Sequence, residues 1–297
     1  MPRGKAVEIE CVVDSRSVTG EGAFWDKRNS CLWWVDIPAG QINRYDPSTR
    51  ENKACDFGEP VGCVAPRESG GLVVAAKSGF YFFDPESGRK ESIGDPESDK
   101  PGNRFNDGGT DRQGRFWAGT MRETAPKSPD GAFYRLNADR GIWKGVGGFF
   151  TTNGLAFSPD GETMYAADSD KGVRTIWKFR YDKDDGVPTE RRLFFDTGSR
   201  PWRPDGATVD ADGCYWFAGI DGWQIVRVTP EGAVDMTVDL PIERPTKPAF
   251  GGAGLDTLFV TSLSLNLAPG SVQPQAGSLF AIDGLGVKGL AEARFAG

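Results

Sequence analysis

The sequence predicts an all-β fold, a six-bladed β-propeller of four-stranded blades, with residues 1–297 forming a single domain. Three observations predict it. A short apolar strand recurs six times, at steps of 40, 43, 48, 51 and 44 residues between Trp34, Val74, Trp117, Tyr165, Trp216 and Val260. A self-similar period of that length marks a repeat architecture such as a propeller. The 40 Gly and 20 Pro are dispersed through the chain without collagen period or low-complexity blocks, which indicates many turns. No segment carries a sustained i, i+3, i+4 apolar stripe, so helices are minor.

Each element follows in order. The segment AVEIECVV (6–13) stands outside the six units. It is expected to pair into the last blade and close the ring, because closure removes a long free edge. The six recurring strands are CLWWVDI (31–37), GLVVAAKSG (71–79), GRFWAGTM (114–121), TMYAADSD (163–170), GCYWFAGI (213–220) and TLFVTSLS (257–264). Each is followed by a further strand that often ends in a turn, such as INRYDPSTR (42–50) or IVRVTPEG (225–232). Each is preceded by another segment with its own turn, such as DRQG (111–114) or SPDG (158–161). At about 50 residues per unit the chain has room for four strands a blade. A pair of β-sandwiches would not explain six units in register. Trp33, Trp34, Trp117, Trp177 and Trp216 fall in strand patterns and read as blade core.

Composition removes much of enzyme chemistry. The chain has no histidine, which excludes Ser-His-Asp and Cys-His nucleophile systems, a His general base and His-ligated metal. The net charge of −7 argues against nucleic acid and anionic membrane as partners. Cys11, Cys31, Cys55, Cys63 and Cys214 form no CxxC pair; free buried thiols and a reducing, cytoplasmic location are expected. The N-terminus MPRGKAVEIECVV has no apolar signal region, and no run reaches 18 apolar residues.

In a propeller, equivalent positions on the inner strands converge on one axis. Counting back from the recurring aromatics, these positions are Glu21, Val61-Gly62, Asn106, Asn153, Asp205 and Phe250-Gly251. Any one such X-Gly pair alone reads as an ordinary turn. Four carboxylates or carboxamides in shared register read differently, since buried together they would repel and strand polar groups unless a cation offset them. Glu21 and Asp205 supply two negative charges, while Asn106 and Asn153 supply neutral oxygen. An all-oxygen set suits one hard divalent ion, Ca²⁺ first, with Mg²⁺ and Mn²⁺ next and Zn²⁺ or Fe²⁺ as further alternatives.

Five motifs in order carry a resemblance: GEGAFWD with the later WVDI, RFNDGGTDRQGRFWAGTM, TNGLAFSPDGETMYAADS, RPDGATVDADG, and PTKPAFGG with LFVTS. Together, from about residue 18 to 264, they resemble the motif set of the senescence marker protein/gluconolactonase (regucalcin-like) family. The resemblance implies a six-bladed propeller, one divalent ion held by Glu21, Asn153 and Asp205, and substrate contacts from Asn106 and Arg104. One departure stands out. Where vertebrate members carry two consecutive acids after GTM, this chain has Met121-Arg122-Glu123-Thr124. Glu123 and Thr124 thus occupy the substrate-facing positions, and Arg122 adds a cation at the mouth. A substrate with an additional anionic group becomes compatible with this mouth.

The resulting expectation is hydrolysis of a sugar (aldono-) lactone to its acid, with the ion as Lewis acid and Asp205 as general base to water. An organophosphate or aryl-ester hydrolase on the same metal, or a non-catalytic calcium-binding propeller, are the alternatives. A monomer or weak homo-oligomer is expected. Asp168 reads as a turn or inter-blade hydrogen-bonding group, and Trp202, Arg203 and Trp223 as candidates for the pocket rim.

Overall fold

Six antiparallel four-stranded sheets make up the protein, whose computed structural model describes residues 6–267 and 271–297. No helix occurs among the described residues. The N-terminal β1 (Glu8–Val13) is followed by blade 1, comprising β2 (Gly20–Asp26), β3 (Cys31–Asp36), β4 (Gln41–Asp46) and β5 (Glu51–Asp56). Blade 2 holds β6 (Val61–Pro66) to β9 (Lys90–Gly94), and blade 3 holds β10 (Asn103–Thr110), β11 (Phe116–Arg122), β12 (Gly131–Leu136) and β13 (Ile142–Phe149). Blade 4 runs from β14 (Thr152–Phe157) through β15 (Thr163–Asp168) and β16 (Thr175–Asp182) to β17 (Val187–Asp196). Blade 5 runs from β18 (Arg203–Val209) to β21 (Val234–Asp239), and blade 6 contains β22 (Pro245–Gly251), β23 (Thr257–Ser262) and β24 (Leu279–Asp283).

The first strand of each blade is innermost. These six strands pack on one another around a closed ring, with β22 of blade 6 meeting β2 of blade 1. As expected, β1 supplies the outermost strand of blade 6, pairing antiparallel with β24 from Glu8↔Asp283 to Cys11↔Phe280. The ring is thus closed by both ends of the chain.

The apolar core is divided into six clusters, each lying between two neighbouring blades. Trp34, Trp117 and Trp216 are fully buried in three of them. Each such side chain contributes about 1.5–3 kcal/mol, so stability lies between the sheets and leaves the axis free for polar groups. Trp177 departs from the core expectation. It sits on the third strand of its blade, only partly buried, under the guanidinium of Arg191 at 3.8 Å. All five cysteines are free thiols, with Cys31, Cys63 and Cys214 buried and Cys11 and Cys55 half-buried.

Beyond β24 the chain straps one face of the ring, a feature that no sequence pattern signalled. Gly289 bridges to Asp210 of blade 5 and Phe295 to Arg67 of blade 2. Arg294 then donates to the buried carboxylate of Asp26 in blade 1, with Nε at 3.1 Å.

Candidate active site

All six inner strands lose register against their neighbours at the same level. The slips fall between Glu21 and Phe24, Val61 and Cys63, Phe105 and Gly108, Asn153 and Ala156, Pro204 and Ala207, and Pro245 and Pro248. An extra residue in one strand of a pair bends the backbone and re-aims a side chain. Gly22 and Gly154, directly after two of the polar residues, have φ of 64°, a left-handed conformation in which a Cβ is strained. The glycines after Glu21 and Asn153 therefore serve the bulge itself. At blade 6 the sequence alignment needs correction. Phe250-Gly251 lies further along β22, opposite Leu258 and Thr257, whereas the slip puts Thr246 and Lys247 at ring level. The Gly-Gly doublet at 251–252 imitated the X-Gly signature of the other blades.

Glu21, Asn106, Asn153 and Asp205 are all buried on inner strands at this level. Their hydrogen bonds assign different duties. Asn106 Oδ1 accepts from Arg104 Nη1 at 2.8 Å, and its Nδ2 donates to Thr152 O at 2.9 Å and Asn153 Oδ1 at 3.3 Å. Asn153 Nδ2 donates to Ser169 Oγ at 2.7 Å, which fixes the amide and leaves its Oδ1 a second lone pair. Glu21 Oε2 accepts only its neighbouring Gly22 N–H at 3.0 Å. Among the described residues the Asp205 carboxylate accepts no hydrogen bond and neither acid has an ion-pair partner.

Electrostatics express the same imbalance. Burial, then the charge of Asp107, pushes Glu21 from the usual 4.5 up to about 8. Burial, then the charge of Glu21, raises Asp205 well above the carboxylate range. Two carboxylates with spare lone pairs beside a carboxamide oxygen with one lone pair left fit a hard divalent cation, which would neutralise both. No cluster of three or more acidic or thiol side chains forms a metal site among the described residues. The set here would draw its third oxygen from an amide.

The rim is built differently. Arg104 Nε pairs with Glu123 Oε1 at 2.9 Å, and Lys77 approaches the other Glu123 oxygen at 3.7 Å. Glu123 and Thr124 are exposed, with both backbone N–H groups directed at Gly102 O. Arg122 does not join this group; it pairs with Asp130 at 2.9 Å and donates to Ser128 Oγ at 3.2 Å. Arg203 pairs with Asp221 at 2.8 Å, as does Arg244 at 2.9 Å. Trp202 is buried and donates to Gln224 Oε1 at 3.1 Å, whereas Trp223 is 41% exposed. Asp168 is a loop anchor in its own blade, accepting from the N–H groups of Phe150, Thr151 and Asp170.

Four residues without an assigned role in the sequence reading also belong here. Ser169 orients Asn153. The hydroxyl of Tyr215 donates to Gly154 O at 2.7 Å and braces the bulge. Asp107 and Lys247 form a buried ion pair at 2.6 Å. Asp107 had a signal, its place beside Asn106 in the NDGG run; Lys247 had none once blade 6 was misaligned. Lys247 also lines a small cavity of about 30 Å³ with Gly108, Leu155, Ala207 and Glu292. A surface depression of about 890 Å³ beside β16 and β17 contains none of these residues.

Comparison with known proteins finds relatives along nearly the whole chain. The SMP-30/gluconolactonase/LRE-like region matches residues 19–264. The chain is 38% identical to the 6-deoxy-6-sulfogluconolactonase of Pseudomonas putida over 293 residues, 97% of this chain and 99% of that protein. It is 35% identical to regucalcin of Xenopus laevis, over 98% of this chain and 99% of the other. The structure of a calcium-binding regucalcin from Agrobacterium tumefaciens superposes with a TM-score of 0.89 at 26% identity, covering 96% of both chains. The family model spans most of the chain and the relatives match nearly all of it, and the chain belongs to the SMP-30/gluconolactonase/LRE-like family.

Proposed function

We propose that this protein is a divalent-metal-dependent lactonase, a carboxylic ester hydrolase that opens a sugar lactone to its acid. The observation that carries the reading is the buried pair Glu21 and Asp205 beside Asn153 Oδ1, with no protein cation paired to either acid among the described residues. The names of the relatives support the substrate class, and the calcium-binding regucalcin supports Ca²⁺ as the ion.

Glu21, Asn153 and Asp205 would hold the ion. When bound, a divalent cation supplies Lewis-acid polarisation of the lactone carbonyl oxygen. Asp205, with no competing donor, holds the attacking water and takes its proton as the oxygen adds to the carbonyl carbon. The ring C–O bond then breaks, the ring oxygen recovers a proton as a hydroxyl, and the product is the open acid. Arg104, fixed by Glu123 and Asn106, presents a planar donor fork to the substrate hydroxyls. Glu123 and Thr124 complete the rim on that side, and the Arg122–Asp130 pair leaves Arg122 a role in holding the loop.

The substrate we favour carries an anionic group distant from the carbonyl. Two arginines, Arg203 and Arg244, share the single carboxylate of Asp221. Lys127 stands near Arg104; burial and then the Arg104 charge lower its pKa. These cations on the strands and loops around Arg104 and Asp205, together with the sulfonated sugar in the name of the Pseudomonas relative, support a C6 sulfonate or phosphate.

A pH-indicator assay tests both parts. Five- and six-carbon aldonolactones, with and without a charged C6 group, are offered to chelator-treated protein with Ca²⁺, Mg²⁺, Mn²⁺ or Zn²⁺ restored. Turnover that requires a divalent ion and favours the charged lactones is expected. Undiminished turnover in chelator removes the metal reading, and turnover confined to a phosphotriester removes the sugar reading. Binding of Ca²⁺ without hydrolysis of any lactone establishes a binding protein instead.

A further inference from the structure

One buried ion pair is not used by the chemistry above. Lys247 lies on β22 of blade 6 and Asp107 on β10 of blade 3. In a six-membered ring these blades face one another across the axis. Lys247 Nζ donates to Asp107 Oδ1 and to Gly108 O, both at 2.6 Å. The second Asp107 oxygen accepts the Leu155 N–H of blade 4 at 3.0 Å. Three inner strands are thus tied together within two residues of Asn106 and Asn153. The two side chains are 4% and 0% exposed.

Stability alone does not account for such a pair. Removing two charges from water costs enough that well-packed apolar residues of similar volume do as well or better. An ion pair with a bonded carbonyl and a bonded N–H adds directed geometry, which apolar packing lacks. Geometry is what a cation site needs, since oxygen ligands to Ca²⁺ must stand within about 2.3–2.6 Å of the ion. Displacements of about 0.5 Å in supporting elements loosen such a constellation.

We propose that Lys247 and Asp107 form a positioning pair, a pin across the channel that sets the spacing of the Glu21, Asn153 and Asp205 oxygens and thereby the affinity for the divalent ion. The inference rests on the metal reading above. It assigns the pair no contact with substrate.

The test is calorimetric titration of the metal-free full chain with Ca²⁺, well below its thermal midpoint. The double variant Lys247→Met/Asp107→Asn removes one charge of each sign, so the net charge of the channel is unchanged. It also keeps an acceptor for Leu155 N–H and nearly the same volume. The expected result is native circular dichroism with Ca²⁺ affinity at least tenfold weaker at unchanged stoichiometry. Should the double variant fail to fold, Lys247→Met alone serves. It leaves the Asp107 charge in the channel, which by itself would strengthen Ca²⁺ binding, so an affinity at least tenfold weaker there reports lost geometry. A lowered thermal midpoint with an affinity within twofold of wild type, in whichever variant folds, overturns the pin and leaves the pair structural. A wild-type chain that takes up no Ca²⁺ removes the metal reading itself, and the pin with it.

Discussion

Two groups of buried carboxylates share the channel, and the fold treats them in opposite ways. Asp107 is supplied with a cation from the chain itself, the ammonium of Lys247 at 2.6 Å. Burial alone would lower the Lys247 pKa, but the charge of Asp107 and their hydrogen bond outweigh it and hold the group up at about 12. Glu21 and Asp205 stand at the same level and receive no such partner among the described residues. Their pKa values rise instead. A fold able to neutralise one buried acid could have neutralised the others. That Glu21 and Asp205 are left unneutralised beside an oriented amide is the observation on which the proposed cation site rests.

The sharpest way to break this contrast is to remove one unneutralised acid. Asp205→Ala is expected to abolish tight Ca²⁺ binding in calorimetry and to lower kcat/KM by about 10³-fold or more, the loss of several kcal/mol of Lewis-acid stabilisation. Near-normal turnover in this variant would make Asp205 neither ligand nor base, and the two acid groups would then be equivalent in kind.

Stability should separate the groups by sign. Lys247→Met leaves Asp107 charged, buried and unpaired, a defect worth about 3–5 kcal/mol, seen as a lowered midpoint in urea or heat. Asp205→Asn in the metal-free chain removes a repulsion from Glu21 and is expected to raise the midpoint, as substitutions at strained functional positions do. If both variants destabilise the metal-free protein alike, the unneutralised pair is not held at a cost.

The pH dependence sharpens the comparison next. In the unfolded chain Glu21 titrates near 4.5 and in the folded, metal-free chain near 8. Between these values the folded state binds the extra proton, so its contribution to stability is full below 4.5 and is lost as pH rises through 8. Asp205 is raised too and acts in the same direction. The midpoint of the metal-free chain should therefore fall across that window, while the increment given by Ca²⁺ should grow. Ca²⁺ uptake at pH 6–7 should release protons, measured by calorimetry in buffers of different ionisation enthalpy, and release less above pH 8. Glu21→Gln should flatten its part of the slope.

The sequence made the inner half of each blade legible and the outer half opaque. Strands such as β2, β3 and β14 are buried on both faces, so their aromatic and glycine patterns repeat with the blade. The outermost strands, such as β5 and β21, are largely exposed and charged; water tolerates any polar residue there, and only the spacing implied them. Glu21, Asn106, Asn153 and Asp205 could be aligned because each precedes a bulge glycine by one or two residues. Lys247 could not, because its bulge contains Thr246 and no glycine, and its partner lies 140 residues away in sequence. Ser169 and Tyr215 act through a side chain and a backbone carbonyl of other strands. Such contacts leave no periodic trace.

The smallest expected effect lies at the rim and tests whether rim and centre are separable. Thr124 is exposed, its backbone N–H is 3.4 Å from Gly102 O, and its side chain flanks Gly102. It touches none of the ring-level oxygens. A hydroxyl in such a place contributes at most one solvent-competed hydrogen bond to a substrate, about 0.5–1.5 kcal/mol, which corresponds to roughly two- to tenfold in kcat/KM. Thr124→Ala is therefore expected to shift the ratio of kcat/KM between five- and six-carbon lactones by that factor while the Ca²⁺ affinity stays within twofold. Thermal stability should hardly change, since no buried group loses a partner. A change in Ca²⁺ affinity would mean that the segment from Met121 to Thr124 transmits to the inner strand of its own blade through the Arg104–Glu123 pair. The distinction between a rim that chooses the substrate and a centre that holds the ion would then fail at blade 3, where Arg104, Asn106 and Asp107 stand on a single strand.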